Sequence, residues 1–479
     1  MEFRITHKQA FWMLALILST AFLMQMVVGM GYVNTFDTYW YRDWALDLPN
    51  GLFTVYEKSR MENIQLDYPP LYLICLYFTG LGYRVLGENC HICLQMFLLK
   101  FWPVVFNVAC AALLYYICRN RYGRVIGLTA AFLWCLNPAF FLNAVMWGQT
   151  DSTMAFCLLL AFWLLEQNRT MAACVAFAVA GLTKFQSLFF TPPFLLTLLF
   201  RNLKDWKRIV KGLAAAAVTV AVVFIPFMIG ARNPLLFFDV YLGSAGKYPY
   251  CSLHAYNIYC LLDLNWTTGV MDTDPIVGGF TWYHFGMICA FLSVALVVAL
   301  YILSYCKSGR ERLSGWVGGL LMMQCLFMFM TRMHERYQVI VVPFALMAWI
   351  TTRNKRFLGL FGALSGFTFI NQAMVLIRNV VHSQRDVWAF WEPYRSTVEM
   401  VLSFINLLLF IWCAYECIRY FLGGKPAKEK NWRPYDDAGP ENPDARESAI
   451  FTEDAPAGED KIPAGGRKAE RSHGAWIRI

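Results

Sequence analysis

Five short stretches of this 479-residue chain carry side chains able to do acid–base and anion chemistry. Asp37 stands a few residues beyond the first long apolar run. A carboxylate at a membrane–water boundary is partly desolvated and can take a proton from a hydroxyl. The run Asp67-Tyr68-Pro69-Pro70 follows; an acid just ahead of a proline at the first helical turn also suits a plain helix start, so a capping role competes with a site role there. The segment WGQTDS (147–152) offers an indole, an amide and a carboxylate in Trp147, Gln149 and Asp151. These either line an outward pocket together or leave Asp151 to cap the next helix. In GLTKFQS (181–187), Lys184 and Gln186 sit between apolar runs. A cation at membrane depth is costly and calls for an anionic partner, unless it snorkels to a headgroup. Finally TRMHERY (331–337) packs Arg332, His334, Glu335 and Arg336 into one turn. That turn is either an anion-binding cluster together with Lys184 or a Glu–Arg pair tying two helices.

The elements that must hold these residues are membrane helices. Hydrophobic residues make up 58% of the chain and charged residues 15%, against about 25% charged in soluble domains. Apolar runs of about 20 residues recur, the length that crosses roughly 30 Å of hydrocarbon. An ordinary cytosolic enzyme, a disordered protein and a nucleic-acid-binding module are therefore excluded. The net charge of +9 does not favour nucleic acid, because Lys and Arg are scattered between apolar runs rather than gathered in a basic stripe. Composition shifts once, at Gly423-Gly424. Residues 423–479 carry ten basic and eleven acidic side chains without an apolar period, which predicts a disordered cytoplasmic tail behind a multi-pass domain at 1–422. The apolar run near the N-terminus is longer than a signal-peptide core and lacks a small-residue cleavage site, so it reads as a retained anchor.

Placing the short Lys/Arg-rich loops in the cytoplasm predicts an all-α polytopic protein with about twelve crossings and both termini inside. The expected spans are 11–32, 94–118, 124–143, 151–166, 171–184, 186–200, 209–230, 282–306, 313–331, 337–352, 357–380 and 397–422. The stretch 171–200 reads either as two half-buried helices meeting near Lys184 or as one long tilted helix. The apolar segment 69–87 must then not cross, and is expected to be a juxtamembrane or re-entrant helix in the first outer loop, 33–93. With this assignment sixteen of the 21 acids in residues 1–422 fall outside, which points the chemistry outward. The first loop mixes carboxylates with aromatics, a composition shared by sugar-binding surfaces and interfacial aromatic belts. Fifteen cysteines are mostly in apolar spans; Cys90/Cys93 and Cys251/Cys260 are outer pairs with the option of a disulfide. Walker A, HExxH, dinucleotide-binding glycine and Gly-x-Ser-x-Gly patterns are missing.

The order of these pieces (an early outer-loop Asp, DYPP at 67–70, NP…WGQTDS at 137–152, TKFQ at 183–186 and HERY at 334–337) resembles the GT-C superfamily of integral-membrane glycosyltransferases. More narrowly it is similar to bacterial relatives of the polyprenyl- or dolichyl-phosphate-sugar-dependent mannosyl- and glucosyltransferases. The resemblance spans residues 1–352. It implies an inverting transfer of a hexose, with mannose the first choice, from a sugar carried on a polyprenyl monophosphate. The acceptor would be a hydroxyl on a glycan, glycolipid or protein at the extracytoplasmic face. Asp37 matches the family's general base. Family members often show two adjacent acids there, whereas Thr38 follows here, so Asp43 and Asp67 are rivals. The resemblance places the donor phosphate near Lys184, His334 and Arg336, with Gln186, Asp67, Tyr68, Trp147, Gln149 and Asp151 completing the donor site. No cofactor is required, and carboxylate spacing does not demand a divalent metal, although outer acids are numerous enough to hold one. A transporter or flippase of a lipid-linked or polyanionic substrate, and a polysaccharide polymerase or ligase, are the alternatives.

Overall fold

The computed structural model describes residues 5–33, 37–62, 66, 68–382 and 385–423. The expected tail from residue 424 onward, and Asp67, lie outside the described residues. The architecture is that of an all-α polytopic membrane protein. Among the described residues strand is confined to two small ladders on the loops, Ser252–Leu253 with Met333–His334 and Pro275–Val277 with Phe280–Thr281.

Among the described residues six helices are long and apolar enough to cross a bilayer: His7–Gly31, Ile92–Arg119, Trp206–Gly230, Trp282–Ser308, Lys355–Arg378 and Glu392–Leu422. A seventh candidate is the pair Arg124–Cys135 and Pro138–Trp147, bent by 42°. The other five expected crossings are helices of twelve to sixteen residues: Asp151–Glu166, Thr170–Thr183, Thr191–Asn202, Gly315–Phe329 and Val341–Thr352. At 1.5 Å per residue they fall short of the hydrocarbon thickness. The twelve expected runs are therefore of two kinds, which apolar content alone does not separate.

The difference is burial. The long helices His7–Gly31 and Trp206–Gly230 bury few residues, whereas Gly315–Phe329 is buried along nearly its whole length. A helix apolar all round belongs inside a protein or a membrane; short helices such as Gly315–Phe329 form an inner layer, and His7–Gly31 and Trp206–Gly230 turn most of their apolar surface outward. Small residues let the inner layer close. A Cβ on Gly315, Gly318 or Gly319 would approach Phe162, Tyr301 or Phe344 to 2.6, 2.5 and 2.4 Å, as expected where membrane helices pack through glycine. Phe162, Trp316 and Phe344 fill the space between, with ring centroids 5.1–5.6 Å apart.

The stretch 171–200 is two helices, broken at Lys184 by a 3₁₀ segment, Phe185–Phe190. The segment 69–87 is a 17-residue helix, Pro70–Leu86. Against it packs the short helix Asp37–Asp47, which starts at the candidate base. Contact is close because Gly80 lacks a side chain: a Cβ there would lie 2.0 Å from the Ala45 carbonyl oxygen and 2.6 Å from Pro49. All fifteen cysteines are free thiols, so neither Cys90/Cys93 nor Cys251/Cys260 is bridged. Gly80→Ala is expected to destabilise the protein by about 1–3 kcal/mol, the usual cost of overpacking, read as a lower melting temperature in detergent. Gly243→Ala, where the added methyl meets open space, serves as the matched control.

Candidate active site

Three irregular segments meet on one side of the inner layer. The first is Asn137–Gly148. Asn137 caps a helical turn by accepting from the Ala139 and Phe140 amides, and the backbone then widens into a π-helix at Phe141–Trp147. Gly148 closes it at φ +81°, a conformation suited to glycine. The second is the break at Lys184, and the third is the turn from Arg332 into the 3₁₀ segment Glu335–Ile340. Irregular backbone at membrane depth persists where it is buried in protein or lines a cavity, and here it does both.

A cavity of about 300 Å³ opens between them. Its walls include Asp37, Tyr68, Lys184, Gln186, His334 and Arg336 from the sequence reading. They also include Trp40, Tyr41, Trp44, Lys247, Tyr248 and Arg332. Trp147, Gln149 and Asp151 do not line it; they are buried behind it, which corrects the expectation of an outward pocket built from all three. The reason is their direction. Trp147 Nε1 and Gln149 Nε2 donate to Asp37 Oδ2 at 2.5 and 2.6 Å. Asp151 turns the other way and meets Lys184 Nζ at 2.7 Å. Lys184 is buried, not snorkelled, and the anionic partner its depth demands is this carboxylate. Asn143 Nδ2 donates to the second Asp151 oxygen at 3.0 Å and to Gln372 Oε1 at 2.9 Å.

Arg336 and Arg332 are compensated in the same way. Arg336 Nη1 donates to Glu335 Oε1 at 2.9 Å, so the Glu–Arg pair exists, and Arg336 faces the cavity as well. Its guanidinium also lies 5.8 Å from the Trp147 ring. Arg332, at φ +63°, holds Asp272 through Nε at 2.6 Å and Nη2 at 3.2 Å. Asp151, Glu335 and Asp272 are buried and absent from the cavity wall. Asp37 is the acid among the lining residues. Asp43 lies off the wall, 4.0 Å from Arg42. Among the described residues no group of three His, Cys, Asp or Glu has the proximity to hold a metal ion.

Aromatics shape the remaining wall. Tyr41 OH bonds Gln149 Oε1 at 3.2 Å and Tyr68 OH at 2.6 Å, and Tyr56 OH donates to the Tyr68 carbonyl at 2.6 Å. The rings of Tyr41, Trp44 and Tyr68 pack at 5.6–5.7 Å. The aromatic signal in TYWYRDW was readable; that these rings share a helix face toward Asp37 required the fold. Lys247 and Asn143 carried no sequence signal, being single polar residues in unremarked segments.

His334 is held well below the ordinary histidine range by burial, reinforced by the neighbouring Arg336. Behind it, the parallel ladder Ser252–Leu253 braces Met333–His334. The adjoining His254 is pulled down to about 3 by burial and by Arg378 and Arg395. Both histidines are therefore neutral in the fold. A depressed folded pKa leaves stability intact above about pH 6.5, the unfolded value, and lost as pH falls toward the folded value, by up to about 1.4 kcal/mol per unit for each group. The melting temperature is expected to fall between pH 7 and pH 5, with a shallower slope in His254→Gln. Lys184→Met is expected to cost about 3–5 kcal/mol by leaving Asp151 buried and unpaired, with Lys184→Met/Asp151→Asn recovering most of the loss in the same melting assay.

Residues 70–229 match the family model described as dolichyl-phosphate-mannose-protein mannosyltransferase. That segment contains Trp147, Gln149, Asp151, Lys184 and Gln186, but neither Asp37 nor the His334–Arg336 turn. No curated protein matches the chain at a significant level. Among solved structures it is similar to ArnT from Cupriavidus metallidurans bound to undecaprenyl phosphate, at 16% identity over 85% of this chain and 77% of that one, with a TM-score of 0.38. The apo state of ArnT gives 15% identity, the same coverage and a TM-score of 0.40. Similarity of that degree assigns neither site nor ligand. Over residues 70–229 the chain is similar to that mannosyltransferase family.

Proposed function

We propose that the protein moves a hexosyl group, mannose in the first instance, from a polyprenyl-phosphate donor to an acceptor hydroxyl at the extracytoplasmic face, with inversion. The observation that carries this reading is a junction. An open apolar groove of about 670 Å³ runs along helices Pro70–Leu86, Asp151–Glu166 and Thr170–Thr183. Its wall ends at Thr183, and the polar cavity begins at the next residue, Lys184. Leu71 of the groove and Pro69 of the cavity repeat the junction on the other side. A molecule with a long apolar chain and an anionic head fits that sequence of surfaces.

In this reading Asp37 accepts the proton of the acceptor hydroxyl as its oxygen attacks the anomeric carbon. The bond from that carbon to the phosphate oxygen breaks, and the phosphate leaves with the electron pair. Lys184, Arg332 and Arg336 offset the charge that develops there; preorganised donors of this kind supply several kcal/mol in a site closed to water. Trp147 and Gln149 fix the Asp37 carboxylate, and the aromatic wall faces the sugar. The outward location rests on the sorting of charge along the chain.

The test is transfer of radiolabelled mannose from polyprenyl-phosphoryl-mannose by the purified protein in lipid nanodiscs, with membrane glycolipid extract as acceptor. Asp37→Asn is expected to lower the rate at least about 100-fold, and transfer is expected to survive EDTA. Undiminished transfer by Asp37→Asn removes Asp37 as the base. Absence of transfer by the parent protein, with uptake of the lipid-linked sugar into vesicles, replaces the reading with transport.

A further inference from the structure

Lys100 is a second intramembrane cation, fully buried in the spanning helix Ile92–Arg119. Charged groups at this depth ordinarily pair with one another or with backbone carbonyls, and this one is met by three carbonyls and the face of the Tyr32 ring. Nζ donates to Gly29 O at 2.9 Å, Tyr32 O at 2.6 Å and Met146 O at 2.9 Å, so its three N–H bonds are each used. Gly29 and Tyr32 belong to the last turn and cap of the helix His7–Gly31, whose terminal carbonyls lack helical partners and favour a cation. Met146 belongs to the π-helical segment and immediately precedes Trp147.

The stem of the same side chain is equally placed. A Cβ on Gly148 would lie 3.2 Å from Lys100 Cγ and 3.4 Å from Thr38 Cγ2, so the turn carrying Trp147 and Gln149 rests directly on Lys100 and on the residue after Asp37. One side chain thus touches the two arms that must meet: the chain approaching Asp37 and the segment whose indole and amide hold its carboxylate.

We infer that Lys100 is a positioning residue for Asp37, its ammonium pinning the end of the first helix to the Trp147 turn so that the indole and carboxamide reach the carboxylate. The inference rests on the reading of Asp37 as the base. Lys100 does not line the cavity, so its loss changes the turnover step rather than donor binding. A misplacement on the order of 1 Å at a reacting group is enough to slow chemistry by up to about 100-fold.

The experiment compares parent, Lys100→Met, Trp147→Phe and the double variant, as full chains in lipid nanodiscs, with polyprenyl-phosphoryl-mannose as donor. Lys100→Met is expected to lower kcat at least about tenfold while the donor KM stays within about twofold. The double variant is expected to be no slower than the slower single one, the non-additivity that marks two residues acting as one unit. Additive losses, or a loss in KM alone, overturn the inference. If Lys100→Met does not yield folded protein, Lys100→Gln takes its place, and parental kcat in that variant overturns it. Hydrogen exchange over residues 29–33 and 144–150 needs no donor and separates this inference from the assigned reaction. Faster exchange at both segments together in the Lys100 variant is expected, and unchanged exchange overturns the inference whatever the substrate.

Discussion

The Lys184–Asp151 ion pair is the constraint around which the rest of the site is arranged. Two buried charges 2.7 Å apart cost several kcal/mol each to dehydrate, and their attraction offsets this only with good geometry and further hydrogen bonds. The fold provides that geometry through an antiparallel hairpin. Helices Asp151–Glu166 and Thr170–Thr183 are joined by a three-residue turn, which brings the start of one beside the end of the other. Asp151 lies in the first turn of its helix and Lys184 caps the end of its own. Each charge therefore sits at the helix terminus whose dipole favours it. Asn143 supplies the remaining bond to the carboxylate, and its own link to Gln372 ties the pair to a helix more than 200 residues away.

That arrangement explains why the backbone is irregular just here. Lys184 reaches Asp151 because its residue is extended, at φ −152° and ψ 130°, and the chain re-enters helix only after a 3₁₀ stretch. The same division recurs at Arg332 and Glu335–Ile340, where a left-handed residue and a 3₁₀ turn present cations to the cavity while their carboxylates stay behind it. Helix breaks in the inner layer are thus where the polar wall comes from. The long helices run unbroken, even through Pro103 and Pro226.

Much of the site was legible as residues, and little of it as pairings. Lys184 stood out because an ammonium between apolar runs demands an explanation, and TRMHERY because Arg332, His334, Glu335 and Arg336 crowd into one turn. Trp147, Gln149 and Asp151 read as one patch because they are close in sequence. Direction, set by the Gly148 turn, sends the first two to Asp37 and the third to Lys184. The expected crossings failed to separate into lipid-facing and inner helices for a related reason. Hydropathy reports that a run avoids water, and both a lipid-facing helix and a helix packed inside protein satisfy that. Length carries the distinction: the sixteen-residue Asp151–Glu166 does not reach across, and the 25-residue Trp206–Gly230 does. Lys100 gave no signal because one lysine in an apolar run is indistinguishable from a snorkelling residue until its carbonyl partners are known.

Charge compensation also bears on why Asp37 differs from every other acid in reach. A carboxylate paired with a neighbouring guanidinium or ammonium balances that cation's charge in the interior, and its loss leaves the partner buried and unmatched. Asp151, Glu335 and Asp272 are committed in this way to Lys184, Arg336 and Arg332. Asp37 is held instead by two neutral N–H donors, from an indole and a carboxamide. Those donors orient the carboxylate through Oδ2, and in the proposed reaction Oδ1 is the oxygen that meets the acceptor hydroxyl. The fold thereby separates two kinds of acid within a few ångströms: those behind the wall hold cations in place, and the one on the wall is held by neutral donors, the arrangement that the proposed base role requires.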